Sequence, residues 1–145
     1  MAQSRGPRFE ELEVGDEIPS ITVTPSLVQL FQFSAVTWNA HRIHYDTPYA
    51  ATEGYPAPVI HGPFQGGLLS RMVTTWGGRT AAIRRLAYSH RGMAILGDTL
   101  TCRGKITKKY EEEGEPQVDL AITIETQKGE VTTLGRATVR FAKAS

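Results

Sequence analysis

An apolar segment bounded by proline and glycine, in the middle of the chain, constrains the fold most. Pro63 suits the first turn of a helix, where its missing N–H costs nothing, and Gly77 with Gly78 ends the segment. Apolar residues recur between them at helical spacing, at Phe64, Leu68, Leu69, Met72, Val73 and Trp76. The pattern predicts a helix about 20 Å long, enough to cross a small domain.

The regions on either side of this helix carry different patterns. After it, strands are expected over residues 81–89, 100–107, 118–124 and 131–141, the first with the weakest apolar–polar alternation. Lys128-Gly129 is interpreted as a tight hairpin turn, and Glu111–Pro116 as a solvated acidic loop.

Before the helix, helical patterns dominate. A strand is expected at Glu17–Val23, and a helix is expected to begin at Thr24-Pro25 with Thr24 as its cap. One face of that helix is predicted to carry Leu27, Leu30, Phe31 and Ser34. A second, short helix is expected over residues 47–52. Helices in the first half and strands in the second predict an α+β fold.

Composition limits the classes of function. The 145 residues suit one domain, expected over 9–145 after a loose tail at 1–8. A net charge of +1 gives no electrostatic reason to expect nucleic acid or an anionic membrane as partner. The single cysteine, Cys102, forms no internal disulfide, which agrees with a cytoplasmic protein. No apolar run is long enough to span a membrane, and the first eight residues lack the apolar core of a signal peptide.

The segment Asn39–Asp46 concentrates chemically useful side chains. It holds two histidines, an amide and a carboxylate, with the apolar Ile43 between the basic residues and His44. A solvated loop has no need of that isoleucine, and a core strand has no need of so many polar groups. We therefore expect an irregular segment that enters a cavity and presents His44, since histidine exchanges protons most readily near neutral pH.

The start of the central helix is a second candidate site. A helix N-terminus offers unpaired N–H groups and a partial positive charge. Gly62 has no side chain, so an oxygen atom can approach its N–H closely. A proton carrier and an oxygen-polarising N–H group are two parts of a site for chemistry beside a carbonyl.

These stretches carry a family resemblance. The segment Phe33–Asp46 resembles the hydratase motif of the MaoC-like, (R)-specific enoyl-thioester hydratases and dehydratases, and Val59–Gly62 with its helix is similar to the central helix of that family. Tyr88–Leu100 resembles the turn into its third long strand. The resemblance covers most of the chain. It implies a hot-dog fold, in which a curved antiparallel sheet wraps the central helix, and an acyl thioester of coenzyme A or acyl carrier protein as substrate, with no redox cofactor or metal.

The resemblance also implies roles for individual residues. His44 takes the place of the family's acid–base histidine, and Gly62 that of the N–H donor to the thioester oxygen. The family's aspartate five positions before the histidine is here Asn39, which accepts a hydrogen bond from water but does not take its proton. This variant is similar to a branch that acts on branched or dicarboxylic acyl-CoAs. The structural alternatives are a buried, backbone-bonded His44 and a turn-forming Asn39.

The neighbouring polar residues have less specific interpretations. His41 and Arg42 replace the family's Asn and Pro, and either steady the thioester or a substrate carboxylate, or face solvent or another chain. Asp46 is expected to support the loop, as an acceptor or as the cap of the short helix, for which Thr47 is the alternative. His61 is expected to point away from the site while Gly62 supplies the N–H. His41 and His44 lie three apart, but no cysteine or carboxylate cluster completes a metal site.

Two alternatives to a hydratase stay open. One is a non-catalytic subunit that lends its tunnel wall to a catalytic partner, which Asn39 permits. The other is a hot-dog thioesterase, against which residues 63–76 contain no Asp or Glu, although thioesterases of this fold usually carry a carboxylate on the central helix. The family resemblance also implies a dimer, either a homodimer or a heterodimer of hot-dog subunits, with the acyl tunnel near the subunit interface.

Overall fold

The computed structural model describes residues 6–143. Of the tail expected at 1–8, residues 1–5 lie outside the described residues, and 6–8 form no helix or strand. Three helices and five strands follow in the order β1 Glu17–Val23, α1 Leu27–Thr37, α2 Thr47–Thr52, α3 Gly62–Gly77, β2 Ala81–His90, β3 Leu100–Glu112, β4 Glu115–Glu125 and β5 Val131–Phe141. Single 3-10 turns lie at Phe9–Glu11, Arg42–His44 and Gly78–Thr80.

The five strands form one antiparallel sheet that curves around α3. Their order is β1-β3-β4-β5-β2, so β1 and β2 are the edges. The register shifts in every strand pair, as at Ile106/Lys108 between β3 and β4, and such bulges bend a strand. The core lies between the inner face of the sheet and the helix, where Leu69, Met72 and Leu120 are almost fully buried. The predicted α+β architecture is confirmed.

The central helix matches its prediction closely. It runs for 16 residues, with Pro63 in the first turn, and Gly78 follows it with a φ of 63°, which favours glycine. Its buried side faces the sheet and comprises Gln65, Gly66, Leu68, Leu69, Met72, Val73 and Gly77.

The predicted start of α1 is wrong. Ser26, not Thr24, caps the helix, and its hydroxyl accepts from the Gln29 N–H while the Gln29 side chain accepts from the Ser26 N–H. Thr24 instead lies 2.8 Å from the Thr99 hydroxyl, across from the turn into β3. The predicted apolar face is half right, because Leu30 and Ser34 are buried while Leu27 and Phe31 are 38% and 54% exposed.

The acidic segment before β4 is not a loop. β3 continues to Glu112 and β4 begins at Glu115, which leaves Glu113-Gly114 as a two-residue turn. Both turn residues have positive φ, 52° and 74°, as the tightest hairpin turns require. The side chains of Glu111–Glu113 are exposed, as expected, but Glu115 is partly buried and paired with Arg84 and Arg140, and the backbone belongs to the sheet. The turn at Lys128-Gly129 is confirmed, with the Gly129 N–H donating to the Thr126 carbonyl at 2.9 Å.

Candidate active site

His44 is held at one nitrogen. Ile43, in the same 3-10 turn, is buried, and its carbonyl accepts from the Val59 N–H at 2.9 Å, which anchors the turn to the segment before α3. The Val59 carbonyl lies 2.7 Å from His44 Nδ1 and has only lone pairs, so Nδ1 carries the proton and donates it. The neutral ring therefore presents Nε2 as an acceptor. The segment dips into the protein as the position of Ile43 predicts.

His61 lies directly beneath His44. The two rings stack with centroids 3.8 Å apart and planes 18° apart. His61 is completely buried, and its Nε2 lies 2.7 Å from the hydroxyl of Ser34 on α1. Its Nδ1 is buried and has no hydrogen-bond partner among the described residues. The expectation that His61 points away is therefore wrong: its ring forms the floor under His44.

Both histidines are kept neutral at neutral pH. Burial lowers the pKa of His44 below 6.5, opposed by the Val59 carbonyl and reinforced by the nearby His41. Burial, and to a smaller extent the proximity of His44, lowers the pKa of His61 to about 4. In the neutral state, His44 is able to accept a proton at Nε2.

His90, which was not among the residues predicted for the site, packs over the start of α3. A Cβ on Gly62 would overlap its imidazole ring, Nε2 first. His90 Nδ1 lies 3.1 Å from the Thr133 hydroxyl, which donates its own hydrogen to Gln65 Oε1 at 2.9 Å. The Thr133 oxygen therefore accepts from Nδ1–H, and His90 Nε2 faces the helix start with a lone pair.

Tyr88 extends this wall along the helix. A Cβ on Gly66 would overlap the Tyr88 phenol, whereas a Cβ on Gly67 would meet nothing within 4 Å. Tyr88 and His90 are edge to face, with ring centroids 5.6 Å apart. Edge strand β2 thus lays two aromatic rings over the first turns of α3. Gln65 was the missed sequence signal, since a polar residue at a buried helical position needs partners, which it finds in the hydroxyls of Thr132 and Thr133.

Asn39 lies just beyond α1, after a left-handed Trp38 with φ of 56°. Its side-chain oxygen accepts from the His41 N–H at 3.4 Å, and its own N–H donates to the Ser34 carbonyl at 3.0 Å. Among the described residues, no hydrogen bond joins Asn39 to His44. In this state the amide acts as a turn residue.

Asp46 supports the loop, as expected. Its Oδ1 accepts from the Tyr49 N–H at 3.0 Å, which makes it the cap of α2, and its Oδ2 accepts two hydrogen bonds from Arg42 at 3.0 and 2.6 Å. The Tyr49 N–H and then Arg42 hold the pKa of this carboxyl below its ordinary value. The Arg42 guanidinium also lies over the Tyr49 ring, 4.6 Å from its centroid. His41 is exposed, with its ring centroid 6.1 Å from that of His44.

Residues 6–143 contain neither a metal-binding cluster nor a membrane-spanning helix. No cluster of three or more His, Cys, Asp or Glu side chains is arranged to hold a metal ion there. No helix in this part of the chain is long and apolar enough to cross a membrane.

Comparison with known proteins places the chain among thioester hydratases and dehydratases. Residues 3–96 match the model of a family described as hydroxyacyl-thioester dehydratase type 2. The (R)-specific enoyl-CoA hydratase of Aeromonas caviae is 24% identical over 133 residues, which are 91% of this chain and 97% of that protein.

Two further similarities differ in extent. Mesaconyl-C(4)-CoA hydratase of Chloroflexus aurantiacus is 58% identical over 52 residues, which are 35% of this chain but only 19% of that protein. The unliganded R-hydratase of Pseudomonas aeruginosa superimposes with a TM-score of 0.86 and 25% identity, over 94% of this chain and 86% of that one. The hot-dog fold implied by the sequence is thus confirmed.

Proposed function

Since this chain belongs to the hydroxyacyl-thioester dehydratase type 2 family, we propose that it catalyses the reversible hydration of a 2-enoyl thioester to a 3-hydroxyacyl thioester. The single observation that carries the proposal is the arrangement of His44, whose Nδ1–H is bound to the Val59 carbonyl and whose Nε2 is left to take a proton. The His44 ring stacks on His61, the residue directly before α3, so the base lies next to the N-terminus of this helix.

The reaction uses these two groups together. As the oxygen of water adds to C3, one of its protons passes to His44 Nε2 and the electron pair of the double bond moves onto the thioester oxygen. The Gly62 N–H, at the positive end of α3, donates to that oxygen and stabilises its charge. The proton then passes to C2 and the carbonyl re-forms. Dehydration follows the same steps in reverse.

Asn39 has a positioning role in this scheme. An amide oxygen accepts a hydrogen bond from water but takes no proton at neutral pH. His44 therefore carries the protons alone, and Asn39 orients the water once it turns from the His41 N–H toward the site.

We propose a short branched or dicarboxylic acyl-CoA as the preferred substrate class. Support comes from the 58% identity to a mesaconyl-C(4)-CoA hydratase over 52 residues, because mesaconate is a short, branched dicarboxylic acid. The exposed His41 and the Arg42 guanidinium are the basic side chains nearest His44 on its own segment, and they are the candidates to meet a substrate carboxylate. Arg42 is already paired with Asp46, so His41 is the freer of the two.

A dimer of hot-dog subunits, identical or not, is proposed as the working assembly. Strand β2 is an edge of the sheet over ten residues, and such an edge presents unpaired N–H and C=O groups to a second chain. β2 also carries Tyr88 and His90, so pairing at this edge brings the interface next to the start of α3.

The test is an assay of the purified chain alone. Short, long, branched, dicarboxylic and steroid-sized enoyl-CoAs are compared by loss of the conjugated double bond, and release of free thiol is followed in parallel. We expect hydration without thiol release, fastest with a branched or dicarboxylic substrate. Thiol release with the double bond intact would instead identify a thioesterase. No turnover of any substrate by the chain alone, with activity restored by a second hot-dog chain, would identify a non-catalytic subunit.

A further inference from the structure

Ser34 and His61 form a buried support beneath His44. Ser34 is 4% exposed and His61 is 0% exposed, and their hydroxyl and Nε2 lie 2.7 Å apart. Phe33 packs on the His61 ring with centroids 4.8 Å apart. Among the described residues, His44 is the only titratable ring that stacks on His61, with centroids 3.8 Å apart. The orientation of His44 is thus set by the Val59 carbonyl at one nitrogen and by His61 below.

A buried imidazole is an expensive way to fill this space. Burying a polar atom without a partner costs free energy, and His61 Nδ1 has no partner among the described residues. Leucine or phenylalanine would fill a similar volume without that cost. An imidazole at this position therefore indicates a role that an apolar side chain does not serve.

Stacking on His61 stabilises the protonated form of His44, which the uncharged amide of Asn39 does not do. When His44 takes the proton of water it becomes an imidazolium, and a neutral aromatic face stacked on a cation stabilises it. A carboxylate would do the same by its negative charge, but Asn39 carries none. His61 suits this task because burial keeps it neutral, with a pKa lowered to about 4, so that it adds no positive charge beside His44.

On these grounds, and resting on the proposed function, we infer that Ser34 and His61 are positioning residues that aim His44 and stabilise its protonated form during turnover. Ser34 fixes the ring of His61 through Nε2, and His61 fixes and supports the ring of His44 from below.

Other charged and titratable groups around the stack are few. His41 lies edge-on to His44, with centroids 6.1 Å apart, and lowers the pKa of His44. Arg42 is neutralised by its ion pair with Asp46. His90 Nε2 lies against Gly62, the residue that follows His61. Each of these groups is unchanged in the His61 and Ser34 variants that are compared with the parent chain, so their effects cancel in the comparison.

The decisive measurement is the pKa of His44 by NMR titration of the unliganded protein, which needs no activity. The four histidines are assigned with the His41→Gln and His90→Gln variants. His61→Leu removes the aromatic face and keeps the burial, so the pKa of His44 is expected to fall by about half a unit or more. His61→Phe keeps an aromatic face and is expected to restore most of that pKa. The acid limb of the pH–rate profile should move with it.

Ser34 is tested through turnover and rescue. Ser34→Ala frees the His61 ring, and the loosened base is expected to lower kcat by about 10-fold to 100-fold with little change in KM. Ser34→Thr keeps the hydroxyl and is expected to recover most of kcat. Thr126→Ala is the matched control. Thr126 is equally buried, and its hydroxyl accepts from the Lys128 N–H in the turn between β4 and β5, away from the two stacked histidines.

The outcomes separate the two proposals. A pKa of His44 that is the same in the parent chain, His61→Leu and His61→Phe overturns the inference, whatever the activity. So does a Ser34→Ala variant that loses stability as Thr126→Ala does but keeps its kcat. A parent chain that hydrates no enoyl thioester contradicts the proposed function, while the NMR titration still decides whether His61 supports the charge on His44.

Discussion

At the scale of single residues, the site depends on which nitrogen of each histidine is engaged. His44 donates its Nδ1–H to the Val59 carbonyl, and His90 donates its Nδ1–H to the Thr133 hydroxyl. His61 is hydrogen-bonded through Nε2 to the Ser34 hydroxyl. The bonds of His44 and His90 fix their tautomers and leave Nε2 of each ring as an acceptor, whereas the Ser34 hydroxyl is able to donate to or accept from His61 Nε2. The chemistry proposed for His44 therefore follows from a backbone carbonyl and not from a carboxylate partner.

The first prediction concerns His44 itself. His44→Ala should lower the rate of hydration by about 10²–10⁴-fold, because the general base is lost. Circular dichroism and the thermal transition should stay close to those of the parent chain, since His44 is only partly buried. Near-normal turnover in a folded His44→Ala variant would remove this residue from the mechanism.

The second prediction concerns Asn39. Asn39→Ala should cost much less than His44→Ala, because only the orientation of water is lost. Asn39→Asp should keep or raise kcat, because a carboxylate adds a second acid–base group. An inactive parent chain that gains hydratase activity from Asn39→Asp would support the interpretation as a non-catalytic subunit.

The third prediction concerns the pH dependence of stability. The pKa of His61 is lowered from 6.5 to about 4, so between these values the unfolded chain binds a proton that the folded chain does not. The free energy of unfolding should therefore fall as the pH is lowered from about 6.5 to about 4. Above this window His61 is neutral in both states, so it should add no pH dependence to the free energy of unfolding. Denaturant unfolding of the parent chain and His61→Gln between pH 7 and pH 4 checks this. Equal pH slopes for the two proteins would contradict it.

At the scale of elements, the start of α3 is the part on which the site depends most. The helix brings Gly62 to the site at its first residue, and β2 covers it with His90 and Tyr88. The residues that make this close approach possible are glycines, because a Cβ at Gly62 or Gly66 would overlap those rings. Strand β2 and helix α3 therefore form the two walls of the proposed thioester site.

The fourth prediction concerns this helix start. Gly62→Val should lower turnover by about 10²–10³-fold, because its side chain blocks access to one oxyanion donor and displaces His90. Gly67→Ala is the control for backbone effects: its Cβ meets nothing within 4 Å, so it should raise stability, by about 0.5–1 kcal/mol. A structure with a bound substrate analogue should place the thioester carbonyl at Gly62. A carbonyl at the other end of α3, near Gly77, would contradict the assignment.

At the scale of the whole molecule, the sheet has two free edges and the site lies beside one of them. Among residues 6–143, β2 pairs only with β5, and most of its side chains are exposed. A second subunit on this edge would extend the sheet and bury Tyr88, which is 38% exposed here. The proposed dimer thus affects the site directly.

The fifth prediction is that the 15.9 kDa chain sediments at twice that mass, alone or with a second hot-dog chain. Diluting the assembly until it dissociates should lower specific activity, because the interface borders the wall formed by β2. Sedimentation and activity measured over the same concentration range check this. A fully active monomer would contradict it.

The sequence by itself determined the features that depend on neighbours along the chain. The bounds of β1 and α3 and the turn at Lys128-Gly129 follow from local periodicity and from proline and glycine preferences, which act over a few residues. The cap of α2 was narrowed to Asp46 or Thr47, and the structure shows that it is Asp46. Even there, the cap of α1 was predicted at the wrong residue. Thr24, directly after β1, has its hydroxyl at that of Thr99, 75 residues away, and Ser26 caps the helix instead.

Only the tertiary structure decided what surrounds His44. Ser34 and His61 are 27 residues apart, and His90 and Thr133 are 43 apart, so no local sequence pattern predicts that either pair is hydrogen-bonded. The acidic hairpin shows the same limit, since its glutamates look like a solvated loop until β3 and β4 pair on either side of Glu113-Gly114. Side-chain chemistry and local geometry are written in short stretches of sequence. The partners that fix a tautomer or form the floor of a site are set by how the sheet closes around the helix.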